Sequence, residues 1–283
     1  MKRFNGIALS VAFCSLASQA ALAQTKIDTL KVQNLNEVIV KGVRATKEAP
    51  YAVANIRKSE LKQFSCSGQE LPFLLSRTPG ILAWSENGIG TGTTYMRIRG
   101  AAGSRINITL DGVALNSPED QTVFWANMNS YSSLLGSIQV QRGVGSSTNG
   151  DGAFGGSISM ATAAPSLTPT AEVTGSFGSY NTYHTGASFS TGLLGKHLIF
   201  DGAYHETATD GYVDGTAGRS GSYYGGLTWL GDNFKISYKN IGNFEKTGQA
   251  WSGVLGGDYN SNFSLLQDGI RTYKDMYKAG LDK

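Results

Sequence analysis

The sequence predicts a small α+β domain, with a mixed sheet and short helices, followed by the first strands of a transmembrane antiparallel β-barrel that the chain does not complete. Three observations predict this fold. Short runs of alternating apolar and polar residues, broken by glycine, fill residues 95–162, and such a period of two indicates strands with one buried face. Two short segments with helical spacing precede them. Longer alternating segments with aromatic residues near their ends follow residue 171, as is typical of membrane-spanning strands.

The first element, residues 1–23, has the features of a secretory signal peptide. Lys2 and Arg3 form a positive start, residues 6–17 are small and apolar, and Ala21-Leu22-Ala23 is a small-x-small cleavage site. A transmembrane anchor is the alternative, but the apolar run is too short to cross about 30 Å of hydrocarbon. The pattern therefore predicts export.

We expect the mature protein to begin at Gln24, because Ala23 completes the cleavage site. N-terminal sequencing of the protein recovered from cell membranes should read from Gln24 onward. A mature protein that retains residues 1–23 would contradict the export prediction.

Residues 24–45 form a polar lead-in with one apolar interruption, Glu37-Val38-Ile39-Val40. The β-branched residues in it favour an extended chain. An extended peptide can add to the exposed sheet edge of a partner through main-chain hydrogen bonds. Residues 37–40 are therefore a candidate docking segment. The alternative is that they form an ordinary edge strand.

Residues 46–165 hold the predicted α+β domain. Helices are expected over Ser59–Phe64, with Ser59 as the N-cap, and over Gly68–Ser76, which Pro79-Gly80 would end. The apolar faces of both helices are expected to pack the domain.

The strands of this domain are expected to present polar and cationic residues on the face opposite the apolar one. Met96 and Ile98 alternate with Arg97 and Arg99, and the same alternation recurs at residues 106–110 and 138–141. Asp111-Gly112 is a hairpin-turn signal between strands.

Five motifs of this region occur in a characteristic order. They are L-P-x-x-L-x-x-x-P-G-I at residues 71–81, R-I-R-G at 97–100, L-D-G-V at 110–113, I-x-V-x-R-G at 138–143 and G-A-F-G-G-S-I at 152–158. In this order they resemble the plug domain of TonB-dependent outer-membrane receptors. The resemblance covers residues 36–165 by motif and continues beyond them by pattern.

The resemblance implies a function in transport. Glu37, Val38, Ile39 and Val40 would be the TonB box, which binds a TonB-type energy-transducing protein in the periplasm. The protein would lie in the outer membrane of a Gram-negative bacterium, with its plug and N-terminus on the periplasmic side. Its ligand would be a bulky chelate such as a ferric siderophore or cobalamin. A passive plugged channel, or a surface-binding barrel without energy coupling, is the alternative.

The resemblance also suggests two groups of site residues in the plug. Four arginines are candidate plug–barrel contacts that would face barrel carboxylates: Arg97, Arg99, Arg105 and Arg142. The alternative is that these side chains are simply hydrated at the plug surface. Four loop residues are candidates for facing the ligand: Trp84, Asn87, Asn116 and Trp125.

Residues 166–283 are expected to be the start of the barrel. Five alternating segments predict its strands, at residues 173–177, 183–193, 198–205, 223–229 and 234–239. Short connections are expected on the periplasmic side, and longer ones, at 211–220 and from Lys246 onward, on the outer side. Five strands cannot close a barrel in lipid. A soluble β-sandwich is the alternative, but it leaves the preceding plug motifs unexplained.

Composition disfavours a nucleic-acid-binding protein and a disulfide-stabilised one. The formal net charge is +3, which gives no basic excess for a nucleic-acid partner. Loss of Cys14 with the signal peptide would leave Cys66 without an internal disulfide partner.

No catalytic, cofactor or metal motif is recognised, so we expect a protein that is not an enzyme. A literal G-x-G-x-x-G ends at Gly155, but an alternating strand follows it, whereas a dinucleotide site requires a helix. The histidines, His184, His197 and His205, are isolated in strand-like runs and are expected to line the lumen or an interface.

Overall fold

The computed structural model describes residues 44–45, 51–144 and 153–248, together with residues 275 and 278. The predicted signal peptide and the Glu37–Val40 segment lie outside the described residues. Among those that are described, no helix is long and apolar enough to cross a membrane.

A mixed five-stranded sheet organises the N-terminal domain, the name used here for the described residues between 51 and 162. The domain's elements are β1 (Ala52–Arg57), α1 (Lys58–Ser65), α2 (Leu71–Leu75), β2 (Ile81–Ser85), β3 (Thr94–Ile98), β4 (Ile106–Leu110), β5 (Val113–Ala114), β6 (Leu135–Arg142) and β7 (Gly156–Thr162). The sheet has the order β1-β6-β7-β4-β5, and β2 pairs with β3 in a separate hairpin. Only the β4–β7 pairing is parallel among these strands. The predicted α+β domain is therefore confirmed.

Apolar side chains from both helices and the sheet form one core. Fully buried members are Leu61, Phe64, Leu71, Leu74, Leu75, Ile98, Ile106, Ile108, Leu135, Ile138, Ile158 and Met160. The alternation predicted for β3, β4 and β6 is therefore confirmed on the apolar side.

Both helices differ from their predicted bounds. α1 begins at Lys58, so Arg57 rather than Ser59 occupies the N-cap position, and the Arg57 main-chain N–H donates to Glu60 Oε1 (3.3 Å). α2 starts three positions later than expected, because Gly68 has a φ of +70°, which lies outside the α-helical region.

The turn predicted at Asp111-Gly112 is confirmed between β4 and β5. Asp111 has a φ of 50° and Gly112 a φ of 86°, and two consecutive positive φ values are the signature of a type I′ hairpin turn. A strand, β7, likewise follows Gly155 directly, as expected in place of a nucleotide-binding helix.

The second sheet, called the wall sheet, is an antiparallel meander of five strands. They are β8 (Thr170–Phe177), β9 (Tyr183–Ser190), β10 (Leu198–Thr209), β11 (Gly218–Leu230) and β12 (Lys235–Thr247), each paired with its neighbour in sequence. The five predicted barrel strands are therefore confirmed as strands.

The two faces of the wall sheet differ in polarity. The outer face exposes apolar and aromatic side chains, among them Val173, Phe177, Phe200, Tyr204, Leu227, Trp229, Ile236 and Tyr238. The inner face carries polar side chains and packs against the N-terminal domain, with His184, Thr207, Ser222 and Thr228 almost fully buried. This polarity is the one expected of a barrel wall, with lipid outside and a filled lumen inside.

Three wall strands extend beyond their predicted ends. β10 continues to Thr209, β11 begins at Gly218, and Lys246 lies within β12 rather than in a loop. The alternation of apolar and polar residues that predicted these strands is lost in the added residues of β10 and β11, because their outer face is polar. On that face Arg219 donates to both carboxylate oxygens of Glu206, at 2.8 and 2.7 Å.

Candidate functional site

The inner face of the wall sheet contacts the N-terminal domain through an ion pair at the β4–β5 turn. Lys239 Nζ donates to Asp111 Oδ2 (2.9 Å) and to Thr162 Oγ1 (2.6 Å). Thr162 donates its main-chain N–H and its hydroxyl to the same carboxylate, at 2.9 and 2.8 Å. Burial opposes ionisation of Asp111, but the bonds from Lys239 and Thr162 outweigh it and lower the pKa of Asp111 below its ordinary value of 3.8.

A second contact joins the far end of β12 to the loops of the N-terminal domain. Asn129 Nδ2 donates to Glu245 Oε2 (3.4 Å) and to the carbonyl of Phe244 (3.5 Å), both at long distances. The main-chain N–H of Tyr212, in the loop between β10 and β11, donates to the carbonyl of Asn87 (3.0 Å). The loop that connects β2 and β3 is thereby fixed to the wall.

A third contact joins α1 and the turn after it to β8 and β10. Lys62 Nζ lies 2.8 Å from Glu172 Oε1, and the hydroxyl of Ser176 donates to the carbonyl of Cys66. Gly68 fits against Thr207 only as glycine, because a Cβ there would lie 3.0 Å from Thr207 Cγ2 and the φ of +70° is unfavourable for other residues.

Two of the histidines are brought together rather than isolated. The rings of His184 and His205 stack with centroids 5.7 Å apart, and His184 Nδ1 hydrogen-bonds the Thr207 hydroxyl (2.9 Å). Both lie on the inner face, as predicted, whereas His197 stacks on Trp229 (5.1 Å). The described residues contain no group of three or more His, Cys, Asp or Glu side chains that could hold a metal ion.

We expect Lys239→Met to weaken the attachment of the N-terminal domain to the wall more than Lys62→Met does. Asp111 and Lys239 are about one-fifth exposed, whereas Lys62 and Glu172 are 61% and 41% exposed and are screened by water. Loss of Lys239 removes the cation that is hydrogen-bonded to this half-buried carboxylate, at a cost of about 1.5–3 kcal/mol.

A double-mutant cycle of Lys239→Met with Asp111→Asn, read by thermal unfolding of the intact receptor, measures this coupling. The folded-state pKa of Asp111 is lowered, so the coupling should be complete above pH 3.8, the ordinary pKa, and disappear as the pH falls through the lowered pKa. A coupling energy near zero at neutral pH would contradict the assigned role of this pair.

Arg44 attaches the lead-in to the second face of the five-stranded sheet. Its guanidinium donates to Ser137 Oγ (2.9 Å), the Ser137 carbonyl (3.2 Å), the Ser159 carbonyl (2.9 Å) and Ser159 Oγ (3.4 Å). The Gln139 side chain exchanges two hydrogen bonds with the main chain of Ala45, at 2.7 and 3.1 Å. The lead-in therefore covers Gln139, which is only 7% exposed, on the polar face of β6.

The four arginines predicted as plug–barrel contacts lie at the surface of the N-terminal domain. The guanidinium of Arg97 lies over the Trp84 ring, 5.7 Å from the centroid, and Arg142 Nη1 donates to the Pro79 carbonyl (2.8 Å). Arg99 and Arg105 are exposed. Their pairing with barrel carboxylates stays a prediction.

The structure corrects two of the four candidate ligand-facing residues. Asn87 and Trp125 are buried, at 3% and 5% exposure, because the loops that carry them fold onto the core and the wall. Asn116 is half-buried, and its side chain holds its own loop by bonding Ile108 N–H and the carbonyls of Ile106 and Gln121. Trp84 remains accessible, at 39% exposure, and stacks on Tyr95 at 5.4 Å.

Sequence reasoning missed the residues that join the two sheets. Asp111 was recognised only as a turn residue, and Lys239 only as the polar member of an alternation. One signal was present: charged residues on the inward side of a predicted barrel strand need a partner, because that side packs against protein. The pattern could identify Lys239 in this way, but not its partner Asp111, 128 residues away.

Comparisons with known proteins agree with the geometry. Residues 45–157 match the family described as TonB-dependent Receptor Plug Domain. No curated protein matches the chain.

Solved structures share the fold over both sheets. The siderophore receptor PirA from Acinetobacter baumannii is 21% identical, with a TM-score of 0.52 over 70% of this chain and 32% of that one. FpvA of P. aeruginosa bound to pyoverdines is 18% identical, with a TM-score of 0.59 over 76% and 29%. The copper transporter OprC is 14% identical, with a TM-score of 0.59 over 73% and 33%. The chain thus spans about a third of the length of these proteins, and at such identities the likeness establishes the fold.

Proposed function

We propose, on the premise that residues 45–157 are a TonB-dependent receptor plug domain, that the chain is the N-terminal part of an outer-membrane receptor. This receptor takes up a scarce, bulky chelate with energy supplied from the periplasm. The observation that carries the proposal is the difference in polarity between the two faces of the wall sheet. Its outer face suits lipid, and its polar inner face holds the plug through Lys239, Glu245 and Glu172.

The contacts between plug and wall suit a plug that must move. Those described above are ion pairs and hydrogen bonds of single side chains, together with the main-chain bond from Tyr212 to Asn87. Polar contacts of this kind are individually modest because water competes for them. Such a plug can be held in place at rest and displaced by a force applied to its N-terminal side.

The proposed entry point of that force is Glu37–Val40, which lies just before the Arg44 anchor. The segment has the β-branched composition suited to strand addition to a partner. A periplasmic TonB-type protein that pairs with it would pull on the chain before Arg44, where the contacts between lead-in and plug begin among the described residues. Ligand binding on the outer side would make this segment available.

The proposed ligand is a ferric siderophore, with cobalamin as the second candidate. Of the related structures described above, PirA is a siderophore receptor, FpvA is in a complex with a pyoverdine and iron, and OprC is a copper transporter. The accessible Trp84–Tyr95 stack beside Arg97 offers aromatic faces and a cation to an anionic chelate. Absence of a recognised catalytic motif supports transport rather than catalysis.

Growth of a strain that lacks the receptor, on single ferric siderophores or on limiting cobalamin, tests the proposed function. We expect loss of growth on one chelate and its recovery when the intact receptor is restored. Recovery by a receptor that lacks residues 37–40 would favour the alternative, a passive plugged channel or surface-binding barrel. Unaltered growth on every chelate would contradict a role in nutrient uptake.

A further inference from the structure

Two cations lie side by side on the outer face of the wall sheet, near one end of its strands. Arg219 is the second residue of β11, and Lys246 is the last but one of β12. They are partners in the β11–β12 register, and both are exposed. Residues directly opposite each other on neighbouring strands share a face of the sheet, and like charges in such positions repel. An anion bound between Arg219 and Lys246 would relieve this repulsion.

The carboxylate that pairs with Arg219 is already fully used. Glu206 accepts from Arg219 Nε and Nη2, at 2.8 and 2.7 Å, and from the hydroxyls of Tyr183 (3.0 Å) and Tyr204 (2.7 Å). Such a set of donors fills the roughly four acceptor positions of a carboxylate. Among the described residues, none of the ion pairs involves Lys246. The surface therefore keeps an excess positive charge.

The two cations lie just beyond a row of aromatic side chains on the same face. Tyr223 follows Arg219 by four residues in β11, and Phe244 precedes Lys246 by two in β12. Tyr204 pairs with Tyr223 across the sheet, and its ring stacks on Phe244 with centroids 6.3 Å apart. Aromatic rows of this kind mark the membrane–water interface. Four residues of a strand span roughly 13 Å, so the cations are at the level of the lipid headgroups.

We propose that Arg219 and Lys246 bind the negatively charged, phosphate-bearing headgroup of a membrane lipid. This rests on the proposed function, because it requires the outer face of the wall sheet to meet lipid. The guanidinium has further N–H donors that Glu206 does not use. A phosphate can accept from this guanidinium and from the Lys246 ammonium together. In the orientation expected from the loop lengths, the lipid belongs to the outer leaflet.

Calorimetric titration of the intact, detergent-solubilised receptor with short-chain phosphatidylglycerol tests the site. Short-chain phosphatidylcholine, which is zwitterionic, is the reference lipid. We expect the wild type to prefer phosphatidylglycerol, and Lys246→Gln to weaken its binding about fivefold, as for the loss of one cation near an anionic surface. Inorganic phosphate should not displace the lipid, because it lacks the acyl chains that lie against the aromatic row. Displacement by inorganic phosphate would indicate a site for free anions and overturn the assignment to lipid.

Lys58→Gln is the matched control. Lys58 is exposed at the start of α1 in the N-terminal domain, so this variant removes the same charge where no lipid is expected. Its titration should equal that of the wild type.

Lys246→Glu tests the site with a variant that should gain stability. It places opposite charges across β11 and β12, so we expect a higher unfolding temperature in phosphatidylcholine micelles and no preference for phosphatidylglycerol. Equal affinities of the wild type, Lys246→Gln and Lys246→Glu for phosphatidylglycerol would overturn the proposal. A receptor that stays monomeric in water without detergent would instead contradict the proposed function, because its outer face would not need lipid.

Discussion

A proline at position 38 is expected to abolish energy-coupled uptake and to leave ligand binding unchanged. Strand addition depends on main-chain N–H groups, and proline removes one and fixes φ near −65°. Val38 lies in the middle of the proposed docking segment, outside the plug residues that the structure describes. The plug should therefore fold and close the barrel normally. Accumulation of the radiolabelled chelate in cells measures uptake, and its binding to isolated outer membranes measures affinity.

Val32→Pro provides the control for this experiment. Val32 is also a β-branched residue of the lead-in, but it precedes the docking segment. Its replacement should reduce uptake little, whereas proline at Val38 or Ile39 should reduce it to the level of a strain without the energy-transducing protein. Normal uptake by the Val38→Pro receptor would show that the TonB box lies elsewhere or that the receptor works without energy coupling.

Phe200→Lys should prevent most of the receptor from assembling in the membrane. Phe200 is 45% exposed on the outer face of the wall sheet. A lysine on the lipid face costs about 2–4 kcal/mol near the bilayer midplane. Heat-modifiable migration in gels, which separates the folded barrel from the unfolded chain, gives the folded fraction.

Two matched variants separate charge from size. Phe200→Leu keeps an apolar side chain toward lipid and should assemble normally. Ser188→Lys places the same charge on the inner face, where Ser188 pairs across the sheet with Glu172, and should be tolerated far better. Equal losses for Phe200→Lys and Ser188→Lys would show that the faces of the wall sheet have been assigned wrongly.

Local patterns predicted most of the secondary structure of the residues that the structure describes. The type I′ turn at Asp111-Gly112 follows from two residues that tolerate positive φ, and the wall strands follow from a period of two. Prediction was least successful where local signals compete or disappear. Ser59 has the right chemistry for an N-cap, yet α1 starts one residue earlier, and the apolar alternation stops where Arg219 and Glu206 pair on the outer face.

The candidate site was harder to predict because its contacts are distant in sequence. Asn87 and Trp125 occur in loops of polar and aromatic composition, which is typical of exposed apical loops. The tertiary fold nevertheless buries both. The Asn129–Glu245 contact spans 116 residues, and no periodicity relates residues so far apart. The TonB box, by contrast, was suggested by a short segment alone and stays a prediction.

The Arg44 anchor determines the order in which the plug would yield to tension. A pull that enters before residue 44 loads the guanidinium bonds to Ser137 and Ser159 together, before it reaches β1. Once the anchor is broken, the next described element that the tension would reach is β1, an edge strand, and we expect its pairs with β6 to separate one after another. The inner strands β6, β7 and β4 would be loaded last. If the proposed coupling operates, we expect the plug to open at one edge and to close again, without unfolding as a whole.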